Sequence, residues 1–157
     1  MTEVPEPSVS SFEKLLIMKI VNGKQVREAL SKQIRVYLCG DLSVPEDFEF
    51  AKTDGLEIGI SHYDKYTAEQ VHLHEWNHEY NYIKSGVVKV YIFSEHKEYE
   101  FRQDDMYVIE PGMAYVTKAI AGTEVFFVKF PGGNDKKKLP VTNSILEWSK
   151  SWNSEMK

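Results

Sequence analysis

The sequence predicts an all-β domain, an antiparallel sandwich or barrel, with an N-terminal extension and a closing C-terminal helix. Three observations lead there. From Leu56 onward apolar and polar residues alternate with period two in short runs, turn residues separate the runs, and at least seven runs fall within about 75 residues. Strands so close together leave no room for the crossovers that parallel pairing needs, so the sheets must be antiparallel.

Taken in order, residues 1–11 are rich in Pro, Ser and Glu and read as a flexible tail, and residues 12–157 form a single domain. Gln25 to Leu30 reads as a short helix. Arg35 to Leu38 has the β-branched and aromatic character of a strand, predicted to cover a sheet edge of its own or a neighbouring subunit, which predicts a homodimer. The strand runs are Leu56/Ile58/Ile60, Val71/Leu73, Tyr80/Tyr82, Val88/Val90/Ile92, Tyr99/Phe101, Tyr107/Ile109 and Val125 to Phe130. Thr142-Asn143-Ser144 supplies helix-capping residues, and Ile145, Trp148, Ser149 and Trp152 follow at helical spacing, an aromatic stripe suited to packing on the barrel.

Composition narrows the partners. Of 157 residues 42% are apolar and 13% aromatic, enough for one core, and 24 acidic against 19 basic side chains give a net charge of −5. That balance lacks the basic stripe that drives nucleic-acid binding. The single basic run, Lys136-Lys137-Lys138, is short; it reads as a solvated charge run that could steer an anionic ligand. Pro131-Gly132-Gly133 before it reads as an exit turn rather than a phosphate cradle. The longest apolar run, Leu15 to Met18, is far too short to span a membrane. Cys39 is the only cysteine, and the start lacks the basic end and apolar run of a signal peptide, so the cytoplasm is the expected location.

Chemistry concentrates in His72-Leu73-His74-Glu75-Trp76-Asn77-His78-Glu79, where three of the five histidines meet two carboxylates. On a helix, His74-Glu75-x-x-His78 would place two imidazoles around zinc with Glu75 as general base. As strand, turn and strand, His72 and His74 share one face, and Glu79 in the returning strand completes a two-histidine, one-carboxylate set suited to Fe(II), Mn(II), Ni(II) or Zn(II). The alternation after His78 favours the strand reading. Two histidines merely facing solvent at a sheet edge remain the alternative to ligands. His78 in the turn, and His62 and His96 without partners in sequence, read as surface residues.

These residues resemble the first motif of the cupin superfamily: a glycine, five residues, HxH, three or four residues, Glu, six residues and Gly. Here His72-x-His74, Glu79 and Gly86 match, with Tyr66 in place of the leading glycine. The second motif is similar to Asp104 through Tyr115, where Pro111-Gly112 fits the family's turn, Asp104 replaces its glycine, Ala119 its late asparagine, and Tyr115 the further histidine ligand. The likeness spans about residues 55–132, the expected barrel core. It implies a small jelly-roll barrel holding a divalent metal on His72, His74 and Glu79. It further implies an enzyme acting on a small polar substrate, a carbohydrate or carboxylate metabolite. A metal-independent sugar-nucleotide or sugar-phosphate isomerase or epimerase, and a non-catalytic small-molecule-binding module, stay open as alternatives. Tyr115 is either an acid catalyst or substrate contact, or an aromatic plug in the barrel mouth.

Overall fold

The computed structural model describes residues 18–157, and the tail expected over residues 1–11 lies outside them. The elements are α1 (Gly23–Leu30), β1 (Arg35–Gly40), β2 (Ala51–Lys52), β3 (Glu57–Tyr63), β4 (Thr67–Ala68), β5 (His72–His74), β6 (His78–Ser85) and β7 (Val87–Ile92). They continue with β8 (Lys97–Arg102), β9 (Met106–Ile109), β10 (Tyr115–Ala119), β11 (Thr123–Phe130), β12 (Lys136–Lys138) and α2 (Asn143–Ser149). One sheet runs β2-β1-β3-β11-β6-β9 and the other β12-β5-β10-β7-β8, with β4 also on β10. All pairings are antiparallel except β1 with β2. The jelly roll expected from the sequence is present. Its sheets extend past residues 55–132 on both sides, through β1 and β12.

The apolar phase of the strands falls differently on the two sheets. On the second sheet Val88, Val90 and Ile92 point into the core with Ile83, Ile109, Tyr115 and Val125. On the first, Ile60 packs outward against Val26, Leu30, Val36 and Phe48, so that an apolar layer containing α1 covers the outer face. The inner face of that sheet carries its polar side chains, interspersed with Ile83, Ile109, Val125 and Phe127. Glu57, Lys129 and Glu79 lie abreast on β3, β11 and β6; Tyr37, Gly59, Phe127, Asn81 and Tyr107 form the next row, and Arg35, Ser61, Val125 and Ile83 the third. Gly59 is required in its row: a Cβ there would stand 2.3 Å from the Phe127 ring and 2.6 Å from the Val36 carbonyl oxygen. Tyr80 and Tyr82, in the opposite phase to Glu79 and Asn81, are exposed on the outside.

β1 pairs with β3 of its own chain, so the edge pairing expected of Arg35 to Leu38 is made internally, and Arg35 faces inward. Gly86, the last residue of the first motif, turns the chain between β6 and β7 at φ 79°, where a Cβ would meet Thr123 Cα at 2.5 Å. Asp104, at the position where the motif has a glycine, adopts the left-handed conformation at φ 71°, with its carboxylate accepting from Tyr82. Thr142 caps α2 as expected, accepting from the Ile145 amide at 3.3 Å, but the helix ends at Ser149 and Trp152 lies beyond it. Among the described residues no helix is long and apolar enough to cross a membrane.

Glu124 on β11 fastens α1 to the barrel. Its carboxylate accepts two bonds from Arg27 at 2.7 and 2.8 Å and one from Lys84 at 2.6 Å, and it pairs with His62 at 3.1 Å, so His62 has a partner the sequence did not reveal. The Arg27 hydrogen bonds, helped by Lys84 and opposed by burial, pull its pKa from 4.5 down to about 2. A depressed carboxylate pKa stabilises the fold above pH 4.5, and that contribution disappears as pH falls through 2. The urea midpoint of the wild type is therefore expected to fall over this window more steeply than that of Glu124→Gln. Parallel pH profiles for the two proteins would contradict the assignment.

Candidate functional site

The histidine segment is strand, turn, strand, which overturns the helical zinc reading. β5 turns His72 and His74 inward, each 2% exposed, while Glu75 sits in the turn before β6. Glu79, two residues into β6, is also buried and faces the same interior. β10 pairs with β5 at Tyr115 opposite His72, which carries the phenol to the middle of the group. His78 does not project from the turn; it opens β6, half-buried, with Nε2 2.9 Å from Glu110.

The Tyr115 hydroxyl oxygen is 2.8 Å from His72 Nε2, 3.1 Å from His74 Nε2 and 3.4 Å from Glu79 Oε1. Three sequence-predicted donors thus converge on the fourth predicted site residue. Each histidine is held from behind. His72 Nδ1 donates to the Gln70 carbonyl at 2.8 Å, so its neutral ring presents the Nε2 lone pair to the phenol. Burial, reinforced by the charge of Lys136, lowers the His72 pKa to about 4 and keeps that ring neutral. His74 Nδ1 donates to Asp135 Oδ1 at 2.7 Å, and its Nε2 lies 3.2 Å from Glu79 Oε2. Burial lowers the His74 pKa, but the hydrogen bonds and charges of Glu79 and Asp135 more than offset it, and the net shift is upward. Burial raises the Tyr115 phenol well above its ordinary range, and Glu79 adds to the rise, so it is a proton donor and not a phenolate.

Asp135 escapes sequence reasoning. It is 4% exposed, and its second oxygen accepts from the Trp76 and Asn77 amides at 2.9 and 2.7 Å, tying the turn after β5 to the loop before β12. A carboxylate behind a histidine fixes which ring nitrogen carries the proton. No local pattern marks Asp135; only the pairing of β12 with β5 brings it there. The glycines of the exit turn hold no free anion cradle, because the Gly133 amide already donates to Glu57 Oε1 at 3.0 Å.

Beside the group lies a cavity of about 20 Å3, lined by Tyr115, Glu79, Asn81, Tyr107, Arg35 and Glu69 among others. Roughly one water needs 10–15 Å3 by the same measure, so the cavity admits a water or the reacting end of a small molecule, not a whole sugar. Arg35 donates through Nε to Ser61 at 2.9 Å and through Nη2 to Glu69 at 3.2 Å, and the Tyr63 hydroxyl donates to the same Glu69 oxygen at 2.7 Å.

Among the described residues no three His, Cys, Asp or Glu side chains form a ready metal-binding group. The phenol oxygen stands between them instead. The donor chemistry nevertheless fits a divalent ion: two imidazoles whose Nδ1 protons are held by acceptors, leaving Nε2 toward one point, and one buried carboxylate beside them.

No family model and no curated protein matches this chain. Solved structures do. The structure of KdgF from a Halomonas species aligns with 64% of this chain and 80% of its own at 18% identity, with a TM-score of 0.51. The DMSP lyases RdDddP and RnDddQII provide a match to 68% of this chain at 11% identity and a TM-score of 0.55, in which this chain covers 52% of the lyase. A conserved protein with a double-stranded β-helix domain from Klebsiella pneumoniae aligns with 57% of this chain and 78% of its own, at 14% identity and a TM-score of 0.49. The likeness is one of fold.

Proposed function

The chain is a cupin by fold, and from that premise we propose that it holds a divalent metal ion on His72, His74 and Glu79 and acts as an enzyme on a small polar substrate, a carbohydrate or carboxylate metabolite. The observation that carries this reading is the convergence of both Nε2 atoms and the Glu79 carboxylate within 3.4 Å of one oxygen, with both Nδ1 atoms anchored behind. When bound, the ion would supply Lewis-acid polarisation of a substrate oxygen. The chain supplies the rest. Asp135 orients the His74 ring, Gln70 orients that of His72, and Tyr115 offers a proton where the reacting end of a substrate meets the cavity. The small cavity keeps bulk water out of that encounter.

A second reading rests on the 2.8 Å contact between Tyr115 and His72. A phenol donating to a neutral imidazole is an acid and base pair in place, which suits proton transfer beside a carbonyl, as in sugar isomerisation or epimerisation without a metal. Metal content separates the two. His72→Ala combined with His74→Ala is expected to abolish bound divalent metal by elemental analysis. It should also remove the thermal stabilisation that added metal gives the wild type, about 2.7 kcal/mol at a hundredfold excess over Kd. Glu79→Gln is expected to weaken binding strongly and Glu75→Gln to leave it unchanged. Wild-type metal content in the double variant, or loss on changing Glu75 alone, would overturn the ligand set.

A further inference from the structure

Between the edge strands of the two sheets, β8 and β9, the barrel opens into a second cavity of about 220 Å3. Its floor is Val90, Ile92 and Ile109, all buried, and its walls are Tyr99 and Phe101 on β8 and Tyr107 on β9. Strand register makes it continuous with the site. Ile92 lies opposite Tyr115 and Val90 opposite Thr117 across β7 and β10, while Ile109 lies opposite Glu79 and Tyr107 opposite Asn81 across β9 and β6. Residues directly opposite in an antiparallel pair share a face, with Cβ atoms about 5 Å apart. Tyr115, Thr117, Glu79 and Asn81 all line the small cavity, and Tyr107 lines both. The groove therefore lies one strand outward from the reaction cavity on each sheet. Its three aromatic walls stand nearly parallel: the ring centroids of Tyr99 and Phe101 are 6.0 Å apart at 9°, and those of Phe101 and Tyr107 are 4.4 Å apart at 18°. Charge is confined to the rim, where the Tyr99 hydroxyl donates to Glu95 and the Lys97 ammonium stands 4.5 Å from the Tyr99 centroid.

Resting on the reading of the barrel as a metal site for a small substrate, we infer that this groove seats an uncharged aromatic ring of the substrate while the polar end attached to that ring enters the reaction cavity. The reaction cavity, at about 20 Å3, takes the reacting end alone, so the body of the molecule must lie outside it. An apolar cavity of about 150 Å3 holds a benzene ring, so one of about 220 Å3 admits a ring with a short substituent. A sugar ring would set hydroxyls against Val90, Ile92 and Ile109, where no side chain can hydrogen-bond them. The rim carries one acidic and one basic group, Glu95 and Lys97, so it selects no ion of either sign.

Benzyl alcohol is the probe, titrated into the purified full-length protein carrying labelled Ile, Val and Met methyl groups, with methyl glucoside as the polar control and the metal content of each sample measured separately. Benzyl alcohol is expected to shift the Val90, Ile92, Ile109 and Met113 methyl signals saturably, and methyl glucoside to leave them in place. Phe101→Leu and Tyr99→Leu should each weaken binding about fivefold, the value of one aromatic contact. Tyr82→Leu, on the outer face, should not change it, and none of the three should alter metal content. No saturable shift at those methyls, equal affinity for methyl glucoside, unchanged affinity in both wall variants, or an equal loss in Tyr82→Leu would each overturn the ring site. Shifts of the same methyls that follow protein concentration without added probe would overturn it too, since a second copy of the chain would then fill the groove. Wild-type protein that binds benzyl alcohol there but holds no divalent metal supports the ring site and overturns the metal reading, whereas metal-loaded protein with no binding at the groove overturns the ring site alone.

Discussion

Tyr115→Phe is expected to leave bound metal in place and to lower turnover on the protein's substrate by about 10²–10⁴-fold, the loss typical of removing a general acid. The hydroxyl is the only atom removed, and it is the atom that reaches His72, His74 and Glu79 at 2.8, 3.1 and 3.4 Å. The ring stays buried and continues to fill its place beside Ile83, Ile92 and Ala119. Folding is therefore expected to change little while chemistry changes greatly. Tyr115→His separates the two parts the residue plays. A neutral imidazole offers a lone pair at pH 7, whereas the phenol, raised above its ordinary range by burial and Glu79, must first lose a proton. The histidine variant should bind divalent metal more tightly in a competition titration. Equal metal affinity in Tyr115→His, together with full turnover in Tyr115→Phe, would make Tyr115 the plug of the barrel mouth and nothing more.

The histidine pair was legible because its geometry is local. Two residues apart on a strand means one face, and a short turn returns the chain so that Glu79 meets the same interior. Tyr115 was reachable through the resemblance in motif spacing. Asp135 was not, since its bond to His74 spans 61 positions and depends on β12 docking against β5. Arg35 and Glu69 are 34 positions apart and meet only across the barrel, Arg35 on β1 beside β3 in one sheet and Glu69 bonded through its amide to Thr117 of β10 in the other. The strand phases leave the barrel side unmarked for a physical reason. A sheet covered on its outer face by α1 buries both faces, so Ile58 and Ile60 alternate with Gly59 and Ser61 without marking which side is the barrel. Here the polar phase faces the cavity.

Lys118→Met is expected to cost about 2 kcal/mol of folding free energy, because it removes the donor of the buried Trp148 carbonyl and of the part-buried Ser154 carbonyl, and one of two donors to Ser151. In period-two reading Lys118 is a polar residue of a strand and would face water, yet it is 1% exposed. Its ammonium donates to the carbonyl oxygens of Trp148 at 2.8 Å, Ser151 at 3.0 Å and Ser154 at 2.9 Å, and stands 4.2 Å from the centroid of the Trp148 ring. Those carbonyls belong to the last turn of α2 and the chain after it, where an α-helix has no internal donors left. Lys118 supplies them from β10, and Trp148 in turn donates to Glu98 on β8 at 2.8 Å. Burial lowers the Lys118 pKa to about 8, which still leaves the group charged at pH 7. Methionine keeps the apolar stem and loses the ammonium with its hydrogen bonds and its contact with the Trp148 ring, so a large effect reports on the charged group rather than on packing of the stem. Lys89 is the control. It donates to the Trp152 carbonyl at 3.0 Å from a partly exposed position, where Lys89→Met should cost under about 1 kcal/mol. Urea unfolding followed by tryptophan fluorescence measures both, and equal losses in the two variants would show that the C-terminal segment is held by packing of Trp148 and Ile145 alone.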